Sequence, residues 1–243
     1  SKKMKRFLAV LLSLILAAGS LFVAAFAADG KKEKVYPVIL LQGYSGPKLF
    51  NQDTGEKAWG LDFDKVKEHV LNDYGKELAN GAKEYAKGNP DPLVDTLGTI
   101  LLDVMDPIAC NADGSSKYNL DTFPKGAEAT RMSTLIANGQ EEYIGEKPIM
   151  TGFVEKLTQQ GVENAADYIF IYTNDWRKGQ AQYAKDIDAY IDEVRALTGS
   201  DKVDIYGLSF GGQCGASYLN YYGEKAKVHK ACLNVPAIGG TNM

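Results

Sequence analysis

The sequence predicts an α/β fold with a parallel central sheet, flanked by helices and interrupted by a helical insertion, on three observations. Val35-Tyr36-Pro37-Val38-Ile39-Leu40-Leu41 is a continuous apolar, β-branched run, the pattern of a strand buried on both faces. Between residues 150 and 235, short apolar runs alternate with segments of helical period, an order that implies parallel strands joined by crossovers. Finally, Gly207-Leu208-Ser209-Phe210-Gly211 fits G-x-S-x-G, follows the strand signal of Val203, Ile205 and Tyr206, and runs into a helix from Gly212.

Before the first strand, the chain reads as an export signal. Lys2, Lys3, Lys5 and Arg6 precede an apolar run over residues 7–26, and Ala25-Phe26-Ala27 offers a small-x-small cleavage site. Cleavage would remove residues 1–27; a run of this length is also long enough to stay as a membrane anchor, and both readings remain open. No cysteine lies near the site, which argues against a lipid-anchored lipoprotein. The 243 residues, 45% hydrophobic and 24% charged, suit one globular domain over residues 28–243. Of 27 basic and 31 acidic residues, the four basic ones named above leave with the signal, so the mature balance is 23 against 31, which disfavours nucleic acid as a partner. Cys110, Cys214 and Cys232 are an odd count; Cys214 on a helix and Cys232 in a strand read as small buried hydrophobes rather than a bridge. Two histidines, His69 and His229, and no C-x-x-C pair give a zinc site no basis, and no cofactor is expected.

The first strand leads into Gln42-Gly43-Tyr44-Ser45-Gly46-Pro47, where glycines let the backbone approach a ligand. Residues 49–150 are too long for a simple crossover. In it, Val66, Val70, Tyr74 and Leu78 share one helical face, and Leu93, Leu97, Ile100, Leu101, Val104 and Met105 mark a second helix opened by Asp91-Pro92 and stopped by Pro107. These are either ordinary helices packed on the core or a cap over an apolar substrate. His69, among Lys67, Glu68 and Asn72, reads as a solvated or partly packed histidine.

Further on, a short helix around residues 152–160 precedes the strand Tyr168-Ile169-Phe170-Ile171-Tyr172 and then Thr173-Asn174-Asp175-Trp176-Arg177. Ile187, Tyr190, Ile191, Val194 and Leu197 mark an amphipathic helix that ends at Gly199. The G-x-S-x-G strand, a helix over 212–222 and a strand over 228–235 complete the alternation. A serine hydroxyl is a poor nucleophile unless a tight turn exposes it to a base and to backbone N–H groups that face the oxyanion. Gly207 and Gly211 clear such a turn, and the helix after Ser209 points its positive end at the reacting carbon. A dinucleotide loop would need glycine where Ser209 stands, and no G-K-[ST] exists for a phosphate loop, which leaves a bystander serine in a glycine-rich turn as the bland alternative.

Pro37-Val38-Ile39-Leu40-Leu41 with Gln42-Gly43-Tyr44-Ser45-Gly46, Asn174-Asp175-Trp176-Arg177, Gly207-Leu208-Ser209-Phe210-Gly211-Gly212 and Pro236-Ala237-Ile238-Gly239-Gly240-Thr241 occur in the order found in lecithin:cholesterol acyltransferase-like proteins. The chain resembles a bacterial member of that lipase and acyltransferase branch of the α/β hydrolases over residues 35–50 and 150–241. The aspartate-tryptophan-arginine run is the most specific element; Gln42 and Leu208 depart from the family pattern, standing for a proline or histidine and for a histidine. The resemblance implies an α/β-hydrolase fold with the insertion over 49–150 as cap or lid. It also implies attack by Ser209 on a lipid ester, an acyl-enzyme, and transfer to water or an alcohol. In that plan the oxyanion donors are the backbone N–H groups of Phe210 and of Tyr44 or Ser45.

In this fold the triad runs serine, acid, histidine along the chain. After Ser209 the only acid is Glu224 and the only histidine His229, both just before a strand and so at the bottom of a parallel sheet, roughly 20 Å from its top. The expectation is a C-terminally incomplete hydrolase domain whose acid and histidine lie beyond residue 243, with strand 228–235 left as an exposed edge. The expected protein is a secreted serine lipase, esterase or acyltransferase with possible peripheral contact of its cap with a lipid surface. The alternative is an exported lipid-binding or surface protein on the same fold, without catalysis.

Overall fold

The computed structural model describes residues 34–236 apart from 45, 61, 62, 144 and 146. The expected signal segment, Ser45 and the stretch from residue 237 onward lie outside the described residues. Residues 36–243 form one compact unit; of the other, residues 1–35, only Lys34 and Val35 are described.

The fold is mixed α/β, with a four-stranded parallel sheet between two layers of helices. Strands β1 (Val38–Leu41), β5 (Ile169–Tyr172), β6 (Val203–Leu208) and β7 (Val228–Asn234) lie in the order β5-β1-β6-β7. β1 is shorter than its apolar run because Pro37 has no N–H to give a ladder; its carbonyl instead accepts from the Asp204 N–H at 2.8 Å. The alternation of side chains sends Ile39, Leu41, Phe170, Tyr172, Val203 and Ile205 to one face. Helices α5 (Gln180–Thr198) and α6 (Phe210–Tyr222) cover that face with Tyr183, Ile187, Ile191, Val194, Cys214 and Tyr218. Leu40, Ile169 and Ile171 point to the other face, against Met132 and Leu135 of α3 (Met132–Ala137) and Met150 of α4 (Lys147–Gln159). Each large side chain fully buried in these layers contributes about 1.5–3 kcal/mol. α5 stops where the sequence predicts, with Gly199 at φ 64.

The two sheet edges differ. β5 is covered: the Ile171 N–H donates to the Thr130 carbonyl at 3.0 Å, and Arg131 bridges to Phe170. β7 is an exposed edge over residues 229–232, as the sequence predicts, and Cys232, expected to be buried, is exposed because it lies on that edge. Cys214 is buried as expected.

The insertion is not purely helical. β2 (Leu49–Asn51), β3 (Lys57–Trp59) and β4 (Leu120–Thr122) make a small antiparallel sheet in the order β3-β2-β4, around Leu49, Ala58 and Ile108. Strands of three residues are too short to show alternation in a sequence. Between β3 and β4 stand α1 (Phe63–Ala86) and α2 (Asp91–Met105), a hairpin that meets closely at Gly81, where a Cβ would lie 2.8 Å from the Leu93 Cα. From Ala127 onward the chain is back in the main core.

Candidate active site

β1 is flanked by β5 on one side and β6 on the other, and the chain leaves β1 toward β5 but leaves β6 toward β7. Their loops therefore part, and the crevice at the carboxyl ends of β1 and β6 is where an open parallel sheet receives ligands. Leu41 pairs with Gly207 at this end, so the loop from Gln42 lies beside the turn that holds Ser209.

Ser209 sits at φ 52, ψ −115, between the last residue of β6 and the first of α6. A non-glycine residue held at positive φ costs on the order of 1–3 kcal/mol and persists only where its surroundings fix it. Here the Ser209 N–H donates to the Asn234 carbonyl at 2.9 Å, and its own carbonyl accepts from Gly212 and Gln213 at 2.9 and 3.2 Å. The flanking glycines are there for contact. A Cβ on Gly211 would stand 2.0 Å from the Leu41 carbonyl oxygen, one on Gly207 2.7 Å from the Gly211 oxygen, and one on Gly212 2.9 Å from the Pro236 Cβ. The turn is thus pressed onto β1, and Ser209 remains half-buried rather than covered. Phe210 opens α6, so its N–H has no intrahelical acceptor. The Gly46 N–H donates to the Gly43 carbonyl at 3.1 Å and closes a turn next to Tyr44.

Gln42 is buried and cross-links this region. Its Nε2 donates to the Tyr172 carbonyl at 3.3 Å and its Oε1 accepts from the Gly145 N–H at 3.1 Å. Gly145 in turn lies so near Gly46 that a Cβ would stand 2.5 Å from the Gly46 Cα. Gln42 therefore ties the loop after β1 to the end of β5 and to the segment before α4.

Beside the Ser209 turn is an aromatic cluster of Tyr44, Phe210, Trp176 and Trp59, of which Trp59 alone gave no sequence signal. The Tyr44 ring lies 4.4 Å from that of Trp176, 5.7 Å from Trp59 and 6.4 Å from Phe210, and the two indoles are 5.0 Å apart. Both indole N–H groups are buried without an acceptor. Next to them, Asp175 and Arg177 form a two-pronged ion pair at 2.7 and 2.9 Å, with both side chains under a tenth exposed. Arg177 also donates to the Ile108 carbonyl and the Ser116 hydroxyl, each at 3.0 Å, which pins the small sheet to the end of β5. The hydrogen bond to Asp175 raises the Arg177 pKa above its ordinary value. Burial pushes the Cys214 thiol up to about 12, which leaves it protonated and a poor nucleophile on the helix behind Ser209.

Both histidines are engaged with partners other than Ser209. β7 pairs Val228 with Val203 and Asn234 with Leu208, which sets His229 at the opposite end of the strand from Ser209, roughly 16 Å along it. The His229 ring stacks on Tyr36 at 4.3 Å, and its Nδ1 is 2.9 Å from the Asp204 Oδ1. His69 is held between Asp73 and Asp103 in the helical hairpin. A cleft of about 450 Å³ opens at the end of β5, lined by Asp121, Lys125, Asn174, Asp186 and Glu193 among others, and Ser209 is not among its lining residues. Among the described residues no group of three or more His, Cys, Asp or Glu converges as a metal site would. No protein-family model and no curated protein matches this chain.

Proposed function

We propose that the chain carries the nucleophile half of an exported serine lipase, esterase or acyltransferase that acts on lipid carboxylic esters from an α/β-hydrolase fold. The observation that carries this reading is Ser209, held at positive φ in a strand–turn–helix whose glycines have no room for a side chain, at the crevice between β1 and β6. In this mechanism the Ser209 Oγ attacks the ester carbonyl and forms a tetrahedral intermediate. Its oxyanion accepts from the Phe210 N–H and from the N–H of Tyr44 or Ser45, at the positive end of α6. Collapse expels the alcohol and leaves an acyl-Ser209, which water or a second alcohol resolves.

Attack requires a base for the Ser209 proton, and neither histidine of the chain is placed to be one. The proposal therefore requires an imidazole and an acid that residues 1–243 do not place beside Ser209. The decisive experiment treats the product of the whole reading frame and the 1–243 chain with a fluorophosphonate probe and maps the labelled peptide. Labelling at Ser209 in the former and next to none in the latter is the expected result. Strong Ser209 labelling of the 1–243 chain would overturn the assignment of the base. Absence of labelling in both would favour the exported non-catalytic binder, the reading that a missing imidazole by itself also fits.

Two further outcomes test the same proposal. The mature exported protein is expected to begin at Ala28, read by N-terminal sequencing; a membrane-bound form that still carries residues 7–26 would show an anchor instead. Leu97 and Leu101 are exposed on α2, so changing both to Ser leaves the fold intact. If the hairpin shelters an apolar substrate, the double change lowers kcat/KM on long-chain esters by roughly tenfold, about 1.4 kcal/mol, and spares short soluble ones. Equal loss on both would reduce the hairpin to packing.

A further inference from the structure

The α1–α2 hairpin is held at its root by a histidine in an arrangement that only one protonation state satisfies. His69 lies in the second turn of α1 and Asp103 in the last turn of α2. The imidazole Nε2 is 2.7 Å from the Asp103 Oδ2 across the helix pair, and its Nδ1 is 2.7 Å from the Asp73 Oδ2 one turn along α1. Neutral imidazole has one N–H and one lone pair, so it could donate to one carboxylate only and would set its lone pair against the other. With both ring nitrogens at hydrogen-bond distance from ionised carboxylates, imidazolium is the form that satisfies both. The Tyr74 hydroxyl donates to the same Asp103 Oδ2 at 3.0 Å, which completes the link between the helices.

The surrounding charges favour that proton. On α1 the charged neighbours are Lys65 one turn before His69, Asp73 one turn after it and Glu77 beyond Tyr74, while Glu68 adjoins His69 in sequence without facing it. On the α2 side are Asp103 and then Asp106, whose charge is matched by Lys117 at 2.7 Å. The rest of the seam is half-buried apolar packing around Gly81 and Leu93, while α2 has no buried residue and Val94, Leu97, Leu101 and Leu102 stand exposed along it.

We infer that His69, Asp103 and Asp73 form a pH-sensitive clasp that fixes the root of the hairpin when His69 is charged and releases it when the proton leaves. This goes beyond the proposed chemistry and does not depend on it. The hydrogen bond to Asp103 raises the His69 pKa above 6.5, and the same bond lowers the Asp103 pKa below 3.8. The raised histidine contributes stability that is complete below the ordinary 6.5 and is lost as pH climbs through its folded value. The depressed aspartate contributes above the ordinary 3.8 and fails as pH falls through its own folded value. The clasp is therefore fully closed from 3.8 to 6.5 and opens on the alkaline side.

The test uses the 1–243 chain and imidazole NMR signals, with His229→Gln to assign the two histidines. His69 is expected to titrate above 6.5. Amide exchange over residues 63–105, corrected for the intrinsic effect of pH, is expected to quicken roughly two- to fivefold between about pH 5.5 and about pH 8, the scale of an exposed charge pair. Asp103→Asn keeps an acceptor but not the charge, and should lose both the upward shift and the pH step. Asp73→Asn, whose partner lies on the same helix, should lose part of the shift and keep the step. A His69 that titrates at or below 6.5, or a step that survives Asp103→Asn or His69→Gln, overturns the clasp.

Discussion

Ser209→Ala, in a form of the protein that turns over ester, is expected to abolish fluorophosphonate labelling and to cut kcat about 10⁶-fold, the cost of removing a serine nucleophile from a triad that works as a unit. The fold should survive. Alanine at position 209 inherits the same positive φ, and the bonds that hold the turn come from the backbone of Asn234, Gly212 and Gln213. The unfolding midpoint should therefore move by less than about 1 kcal/mol in stability. His229→Ala and His69→Ala form the control pair, because the register of β7 sets His229 at the far end of the strand and His69 is engaged by Asp73 and Asp103. A loss of turnover in either that matched Ser209→Ala would mean that a distant imidazole reaches Ser209, and the assignment of the base outside residues 1–243 would fall.

Arg177→Ala is expected to destabilise the protein by about 3–5 kcal/mol in urea unfolding, because it strands the buried Asp175 carboxylate without its partner. It also removes the donors to Ile108 and Ser116, so residues 108–116 should exchange their amides far faster than β5 does. The double change Asp175→Asn with Arg177→Met should recover much of the loss, since no unpaired charge then remains. An Arg177→Ala protein as stable as the parent would show that the pair is solvated and that the small sheet is docked by apolar contact alone.

Those two residues also show what a sequence can and cannot tell. The Ser209 turn was legible because its glycines and serine sit at fixed spacing between a strand and a helix, although Gly211 and Gly212 answer to Leu41 and Pro236; β1 and the end of α5 were legible as local patterns too. Residues far apart in the chain were not. Asp175-Trp176-Arg177 stood out as a motif, yet its contact with Ile108 joins segments that no periodicity relates. Trp59 gave no signal, although it meets Trp176 at 5.0 Å. His69 read as a solvated histidine; Asp73 is visible one turn away, but Asp103 becomes its neighbour only when the hairpin closes. Gln42 looked like a loss of family character, and only the positions of Tyr172 and Gly145 give it a task. The three short strands of the insertion fell below the length at which a pattern exists.

The strand order has a consequence for biosynthesis. β1 is the first strand of the parallel sheet to leave the ribosome and lies inside it, with its two neighbours β5 and β6 following only after the whole insertion. Until Ile169–Tyr172 have been made, Val38–Leu41 has no parallel partner, and the turn at Ser209 cannot close before Asn234 arrives. Such non-local pairing folds slowly. Under the proposed export, the delay is useful: the central sheet cannot assemble while the nascent chain is short, so the leading segment would engage the export machinery first.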